Sequence, residues 1–390
     1  MAADSRNESL AAAALDLARA AGPPLSSARS VLFGVSEFKP DPDTPADSNE
    51  PASKSAATLP ADTAELVYLR FGDHAYWLIA RGDRVRALHA PPEPQTRDLA
   101  TRWLRAIEQH DDSAQLRDLA AAIAEHLSIN DLIRADDRVL LTRFNGPVAD
   151  LPWSALPRAG FQPMARLGYA PMGASLAVIA ASGNIDGAAL LQPARISQLA
   201  TIDPTDLPTE LAGSRDESTY LQQLGTHYRL PVRLRSLTRI SVGQVDFSPA
   251  ELFLLSGHAV ADRVSGETAA LRLGHDGSRR WGTVDLESWG RPPAVLILGA
   301  CESASGPERR YFGDFGLASA AARSGSPWVL GHRWPVDDQA AAELHRAFID
   351  ALLGGASPPS SLVRAQLAMT ESRRFAHPRH WAGALLIHSN

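Results

Sequence analysis

Two residues with catalytic potential, His258 and Cys301, each follow one of the most apolar stretches of the chain. The stretch LFLLSGH ends at His258, and VLILGAC ends at Cys301. Continuous apolar runs of this kind predict buried parallel strands, and sites in open parallel sheets form where such strands end. If the two strands are neighbours, imidazole and thiol emerge together. This arrangement suits a dyad in which the histidine takes the thiol proton and later protonates a leaving amine.

The residues around this pair are small. Gly257, Ala259, Gly299 and Ala300 would let a substrate backbone approach closely. The backbone amides of Ala259 and Cys301 are the predicted oxyanion donors, each with an effect of about 3 to 4 kcal/mol. An oxyanion site here would need no side chain.

Cys301 is the single cysteine of the chain, so an intramolecular disulfide and a multi-cysteine zinc site are both excluded. A lone cysteine is more often a small buried apolar residue than a nucleophile, and His258 taken singly is more often a core histidine. The placement of both at strand ends is what favours the dyad.

A second catalytic interpretation takes the segment GACES, residues 299–303, as a cysteine version of the nucleophile elbow of α/β-hydrolases. Histidines and aspartates that could complete such a site follow downstream. An elbow requires a helix directly after the nucleophile, whereas SASGPERRYFGDFG is predicted to be a loop. A small-molecule cysteine hydrolase of this type is therefore the lesser alternative.

Several residues could line a substrate pocket. The candidates are Asn145, Asp150, Gly299, Glu302, Asp314 and Trp334. Gly299 leaves the pocket open and favours a neutral or apolar substrate residue, whereas Asp150 or Asp314 would favour a basic one, and the sequence does not decide. Glu302 is either a substrate contact or a loop-stabilising acceptor. Trp334 and Asp337 either wall the cleft or serve as a packed tryptophan and a helix cap.

No cofactor is predicted. His377 and His380 have the spacing of a metal pair, but Pro378 lies between them and no acidic partner is near, which favours a structural role. A glycine-rich phosphate loop is absent from the sequence. We therefore expect neither a metal site nor a nucleotide.

The composition is that of an ordinary folded protein, with 390 residues, 45% hydrophobic and 21% charged residues and a net charge of -6. No basic run marks a phosphate-binding face, so nucleic acid is not expected as a direct partner. The start of the chain lacks the features of a signal peptide, and no apolar run is long enough to span a bilayer. We expect a cytoplasmic protein without a membrane span.

The pattern divides the chain into unequal parts. Residues 1–59 are predicted to hold one helix, over 8–21, and a Pro/Asp/Ser-rich linker, and to be partly disordered. Residues 60–135 predict a small antiparallel β meander from Glu65 followed by helices. In 136–390, apolar strands alternate with helices, which predicts an α/β sandwich with a mostly parallel central sheet.

With these motifs the chain resembles the CHAT domains, caspase-like peptidases related to separase and the caspases. The strands LLSGHAV and ILGACES match the family's two catalytic strands. LPWSALP, WPVDDQAAAELHRAF and HPRHWAGALLI match three further family patterns. The resemblance extends over residues 60 to 390. Ala259 and Gly299 depart from the family, which usually has glycine and serine at these places.

The resemblance implies a caspase-like αβα sandwich with His258 as general base and Cys301 as nucleophile of a cysteine endopeptidase. It also implies a protein substrate, activation by a partner or by processing, and a role in bacterial defence. Family members often carry TPR repeats; residues 1–59 do not predict them, so a sensor is expected in a separate protein or a longer parent chain. If the glycine replaced by Ala259 is needed for positive φ, strain of about 1 kcal/mol or more follows. Ala259 therefore leaves open a catalytically silent interaction module.

Overall fold

The computed structural model describes fourteen segments of the chain. These are 59–71, 74–109, 113–144, 146–149, 151–182, 185–203, 206, 212–236, 246–260, 270–273, 279–304, 308–309, 313–314 and 316–389. The helix predicted over 8–21 and the linker after it lie outside the described residues, as do Asn145 and Asp150.

Sixteen strands occur in the described residues. They are β1 (Thr63–Phe71), β2 (His74–Arg81), β3 (Arg84–His89), β4 (Val139–Arg143), β5 (Ala177–Ser182), β6 (Gln198–Ile202), β7 (Val232–Arg235), β8 (Glu251–Ser256), β9 (His258–Val260), β10 (Ala270–Leu273), β11 (Arg279–Gly282), β12 (Val295–Gly299), β13 (Glu308–Arg309), β14 (Gly313–Asp314), β15 (Trp328–His332) and β16 (Ala384–Ser389).

Eleven of these strands form one sheet in the order β3-β2-β1-β4-β5-β16-β15-β12-β8-β6-β7. The pairs are parallel except within β1-β2-β3 and between β15 and β16. The mostly parallel sheet and the N-terminal meander are thus confirmed. Strand β1 pairs with β4, so the sheet is continuous between the meander and the later strands. The proposed boundaries at 60 and 136 stay predictions.

Nine α-helices lie in the described residues. They are α1 (Glu93–Glu108), α2 (Ser113–His126), α3 (Ile129–Leu132), α4 (Gly187–Leu190), α5 (Ala212–Tyr228), α6 (Thr283–Glu287), α7 (Leu317–Arg323), α8 (Asp338–Leu353) and α9 (Pro358–Glu371). Ahead of α7, Gly313 and Asp314 form the short strand β14, which pairs with β13. None of the helices described is both long and apolar enough to cross a bilayer.

The central strands are buried on both faces. Along β8, Leu252 and Leu254 belong to one hydrophobic core, which also contains apolar residues of α5, α8 and α9. Phe253 and Leu255 point to the opposite core, which contains residues of α6 and α7. Because side chains alternate between the faces of a strand, helices must cover both sides of the sheet. The predicted three-layer αβα sandwich is confirmed.

Candidate active site

The strands that lead to His258 and Cys301 are direct neighbours. Strand β8 pairs in parallel with β12, and the last register pair is Ser256 with Gly299. His258 and Cys301 each stand two positions beyond this pair, and the Gly257 amide donates to the Gly299 carbonyl at 3.3 Å. The two strands therefore bring both residues to the same edge of the sheet, which is the juxtaposition expected from the sequence.

His258 begins strand β9, which leaves the main sheet and pairs with β10 in a separate three-stranded sheet. In this pairing His258 stands opposite Arg272, and Ala259 opposite Leu271. Both His258 and Ala259 are half-buried. The strand thus fixes the backbone on both sides of the imidazole.

Ala259 does not need the conformational freedom of glycine. Among the described non-glycine residues, positive φ angles occur only at Ser128, Arg229 and Glu302. Ala259 lies in an extended strand that any residue can adopt. The strain considered for this position therefore does not arise.

Cys301 is half-buried and lies in a turn that includes residues 301–304. Its thiol lies 3.8 Å from the carbonyl oxygen of Val336, to which it donates a weak hydrogen bond. Val336 lies in the connection between β15 and α8. The next helix in the described residues, α7, begins at Leu317. This spacing argues against a nucleophile elbow, which requires a helix directly after the nucleophile.

The turn after Cys301 is attached to the end of β15 through Ser303. The fully buried Ser303 hydroxyl donates to the Leu298 carbonyl at 3.2 Å and accepts from the His332 amide at 3.0 Å. The Ala304 amide in turn donates to the His332 carbonyl at 2.8 Å. From the sequence, Ser303 was assigned only to the GACES segment of the elbow hypothesis. Its anchoring role depends on a contact with a distant strand.

The comparisons with known proteins agree with this architecture. The family model of the CHAT domain matches residues 111–389. The chain belongs to the CHAT domain family. The resemblance inferred from the motifs is thereby confirmed, and the CHAT domain here carries the caspase-like αβα fold.

Two curated relatives share part of the sequence. Tetratricopeptide repeat protein 28 of Homo sapiens is 31% identical over 99 residues, and its Mus musculus counterpart is 33% identical over 98 residues. Each match covers 25% of this chain and 4% of the relative. The chain thus spans a small fraction of the curated relatives that it matches.

Two solved structures that the chain resembles are a separase-securin complex and a complex of the RgpB pro- and mature domains. The Saccharomyces cerevisiae separase-securin complex matches with a TM-score of 0.49 at 12% identity, over 86% of this chain and 31% of that one. The complex of Porphyromonas gingivalis RgpB pro- and mature domains matches with a TM-score of 0.41 at 11% identity, over 76% of each chain.

The other CHAT motifs have packing roles in the structure. In HPRHWAGALLI, the Trp381 indole donates to the Ala376 carbonyl at 2.9 Å, and His377 Nδ1 accepts from the Arg379 amide at 3.2 Å. In LPWSALP, the Trp153 indole donates to the Val148 carbonyl at 2.9 Å. Hydrogen bonding of His377 to its own turn fits the structural role that the sequence favoured over metal binding.

Trp334 is buried, with 4% of its surface exposed. Its indole donates to the Arg379 carbonyl at 2.9 Å, and its ring leaves no room for a Cβ at Gly383. These are contacts of a packed residue, one of the two roles considered. Asp337 caps α8, since its carboxylate accepts from the Gln339 and Ala340 amides.

The remaining pocket candidates have different surroundings. A Cβ on Gly299 would lie 3.0 Å from Ser256 Oγ and 3.3 Å from His345 Cε1, so these side chains fill the space where an open pocket was expected. Glu302 is half-buried with φ at 55°, the left-handed conformation. The Asp314 side chain lies outside the described residues.

A buried polar cluster lies beneath the strand ends that lead to His258 and Cys301 and was not predicted. Ser256 Oγ donates to Glu217 Oε2 at 2.7 Å, Glu217 Oε1 lies 2.6 Å from His345 Nδ1, and His345 Nε2 lies 2.8 Å from His332 Nε2. None of the four residues is more than 3% exposed. Burial, and secondarily the neighbouring His345, lower the pKa of His332 to about 3. His332 is therefore neutral near pH 7.

Proposed function

We propose that this CHAT domain is a cysteine endopeptidase with His258 and Cys301 as its catalytic dyad. The observation that carries the proposal is the register of β8 and β12, which puts both residues two positions beyond the same strand pair. His258 and Cys301 are both half-buried. Catalytic groups at such a depth are partly shielded from water and still accessible to a substrate.

The chemistry follows from this pairing. His258 accepts the Cys301 proton, and the sulfur attacks the carbonyl carbon of the scissile peptide to form a tetrahedral oxyanion. Collapse expels the amine, which takes the proton from His258, and leaves a thioester on Cys301. Water then attacks the thioester while His258 accepts its proton, and the carboxylic acid product leaves as the thiol is restored.

The backbone amides of Ala259 and Cys301 are the proposed oxyanion donors. The Ala259 amide directly follows His258, and the other amide is that of Cys301 itself. Both therefore lie at the sheet edge where the oxyanion would form. Extended backbone at Ala259 is compatible with a donor role and removes the observation that favoured a catalytically silent module.

The substrate is proposed to be a protein, because a peptidase dyad at an open sheet edge suits an extended peptide segment. Asn145, Asp150, Glu302 and Asp314 stay the proposed determinants of the residue before the scissile bond. Activation by a partner or by processing, a cytoplasmic location and a role in bacterial defence are further parts of the proposal. These rest on the CHAT family rather than on the geometry.

The test uses the fact that Cys301 is the single cysteine, so that any thiol label reports on this residue alone. Wild type, Cys301→Ala and His258→Ala are incubated with a peptide library and with a thiol-directed peptide probe. We expect Cys301→Ala to abolish cleavage and labelling, and His258→Ala to lower kcat/KM by about 10²- to 10⁴-fold.

The matched control is His227→Ala, because His227 is an exposed histidine near the end of α5. This variant should cleave like wild type. Cleavage that survives in Cys301→Ala would refute the dyad, and equal activity of His258→Ala and His227→Ala would refute the role of His258.

A further inference from the structure

The buried cluster beneath the dyad joins four elements that are distant in sequence. Ser256 ends β8, Glu217 lies on α5, His345 on α8, and His332 ends β15. An isolated carboxylate at this depth would be costly, so burial of Glu217 requires the donors that Ser256 and His345 supply. The cluster is thus a complete hydrogen-bonded unit rather than a set of separate contacts.

The hydrogen bonds have one consistent direction. Glu217 accepts from the Ser256 hydroxyl and from His345 Nδ1–H, which leaves His345 Nε2 as an acceptor. His332 then donates from Nε2 to His345, and its Nδ1 carries no proton. This fits His332 Nδ1, which has no hydrogen-bond partner among the described residues and as a bare acceptor leaves no donor unsatisfied.

The two ends of the cluster meet the two segments that carry the dyad. At one end, Ser256 is two residues before His258 and pairs with Gly299. At the other end, the His332 backbone is bonded on both sides to the turn of Cys301, through Ser303 and Ala304. The cluster therefore connects the support of the imidazole to the support of the thiol.

We infer that Glu217, acting through Ser256 and His345, is a positioning residue that holds the strand ends of His258 and Cys301 in register. The inference rests on the proposed function. It adds buried side chains that hold the segments of His258 and Cys301 in place. Glu217 does not face substrate. One of its carboxylate oxygens accepts from Ser256 and the other from His345, so that Glu217 holds both ends of the cluster.

Substitution of Glu217 by glutamine tests why both carboxylate oxygens are needed. The amide of glutamine can present only one oxygen, so either Ser256 or His345 Nδ1–H loses its acceptor. If His345 changes tautomer to compensate, its Nε2 also carries a proton. Two Nε2–H donors of the histidine pair then face each other without an acceptor between them. Asp338 also lies near Glu217, and its pKa is raised by burial and further by the charge of Glu217.

The experiment measures kcat, KM and the alkylation rate of Cys301 at pH 6 in wild type, Glu217→Gln and Ser256→Ala, with unfolding in urea measured in parallel. We expect both variants to lower kcat by up to about 10²-fold with KM nearly unchanged, because small displacements of reacting groups have effects of this size. The alkylation rate should fall toward that of His258→Ala.

Matched controls separate positioning from general stability. Glu65→Gln removes another buried carboxylate, paired with Arg143 at 2.7 Å far along the sheet in β1, and Ser361→Ala removes another buried hydroxyl in α9. Both should lose stability and keep wild-type kcat. In the His258→Ala background, Glu217→Gln should have no further effect on alkylation, because the residue to be positioned is gone.

The outcomes distinguish the inference from the proposed function. If His258→Ala slows alkylation but Glu217→Gln and Ser256→Ala do not, the positioning role is refuted and the dyad stands. If His258→Ala itself changes nothing, the dyad and the positioning role are both refuted. Should Glu217→Gln fail to fold, Ser256→Ala decides the matter by the same criteria.

Discussion

Ser256 and Gly299 face each other as the last pair of the parallel ladder between β8 and β12, and the Ser256 hydroxyl occupies the space where a side chain on Gly299 would begin. This relationship explains why a glycine precedes the nucleophile segment. The hydroxyl cannot move away without leaving Glu217.

Gly299→Ala tests this close approach. The added Cβ would lie 3.0 Å from Ser256 Oγ and 3.3 Å from His345 Cε1, so one of them must shift. We expect a loss of about 1 to 3 kcal/mol in the free energy of unfolding, together with lower peptidase activity. Urea unfolding checks the first and peptide cleavage the second. Gly290→Ala, where a Cβ meets nothing within 4 Å, is the control that should remain unchanged.

Ser303→Ala tests the anchor of the Cys301 turn. The substitution leaves the buried His332 amide without the acceptor that it has at 3.0 Å, which should cost about 1 to 3 kcal/mol. In Ser361→Ala, by contrast, the hydroxyl lost is a donor to the Ser357 carbonyl, which also accepts from the Ser361 amide. Thermal unfolding of both variants should show the larger loss for Ser303→Ala. Equal losses would contradict the anchoring role.

Substitutions of Glu302 can distinguish the effect of its backbone conformation from the effect of its side chain. Its φ of 55° is unfavourable for any residue with a Cβ and is readily adopted by glycine. We expect Glu302→Gly to be more stable than Glu302→Ala by about 1 kcal/mol, measured by urea unfolding. If the side chain binds substrate, both variants should raise KM equally, whereas a purely structural Glu302 predicts that only stability changes.

His332 should make stability depend on pH. Its pKa is about 3 in the folded protein and has its ordinary value of 6.5 in the unfolded chain. Between these values the unfolded state binds the extra proton, so stability is complete above about pH 6.5 and falls as the pH decreases. The contribution approaches about 1.4 kcal/mol per pH unit.

The measurement compares wild type with His332→Asn by urea unfolding between pH 7 and pH 4. The variant is expected to be less stable at pH 7 but to lose stability less steeply toward pH 4. His227→Asn, which replaces an exposed histidine, should follow the wild-type slope. Parallel curves for wild type and His332→Asn would contradict the low folded pKa.

The strands that lead to His258 and Cys301 could be predicted because their signal is local. The runs before Ser256 and Gly299 are continuously apolar, as expected for strands covered on both faces. Strand β6 was missed, since QLATI contains polar residues and has no clear boundary, and β7 was missed because VRLR is short and charged. The small sheet of β9, β10 and β11 was also not predicted, as it consists of strands of three or four residues.

The buried cluster could not be predicted for a different reason. Glu217 and His345 come from separate helices, and nothing in the spacing of either helix indicates that the two side chains meet. His332 and His345 belong to the histidines downstream of Cys301 that the elbow hypothesis offered, and no other role was predicted for them. Their pairing results from the packing of α5 and α8 against the same end of the sheet.

Strand β16 is the last strand described in the chain, yet it lies in the middle of the sheet, between β5 and β15. It joins the part that begins with the meander to the part that contains His258 and Cys301, through pairs such as Leu386 with Ile179. During synthesis the two parts cannot be joined until the ribosome has produced residues 384–389, and contacts of such long range form late. A nascent chain would therefore expose His258 and Cys301 on an unfinished sheet, and the proposed peptidase activity would begin only after strand β16 has been made.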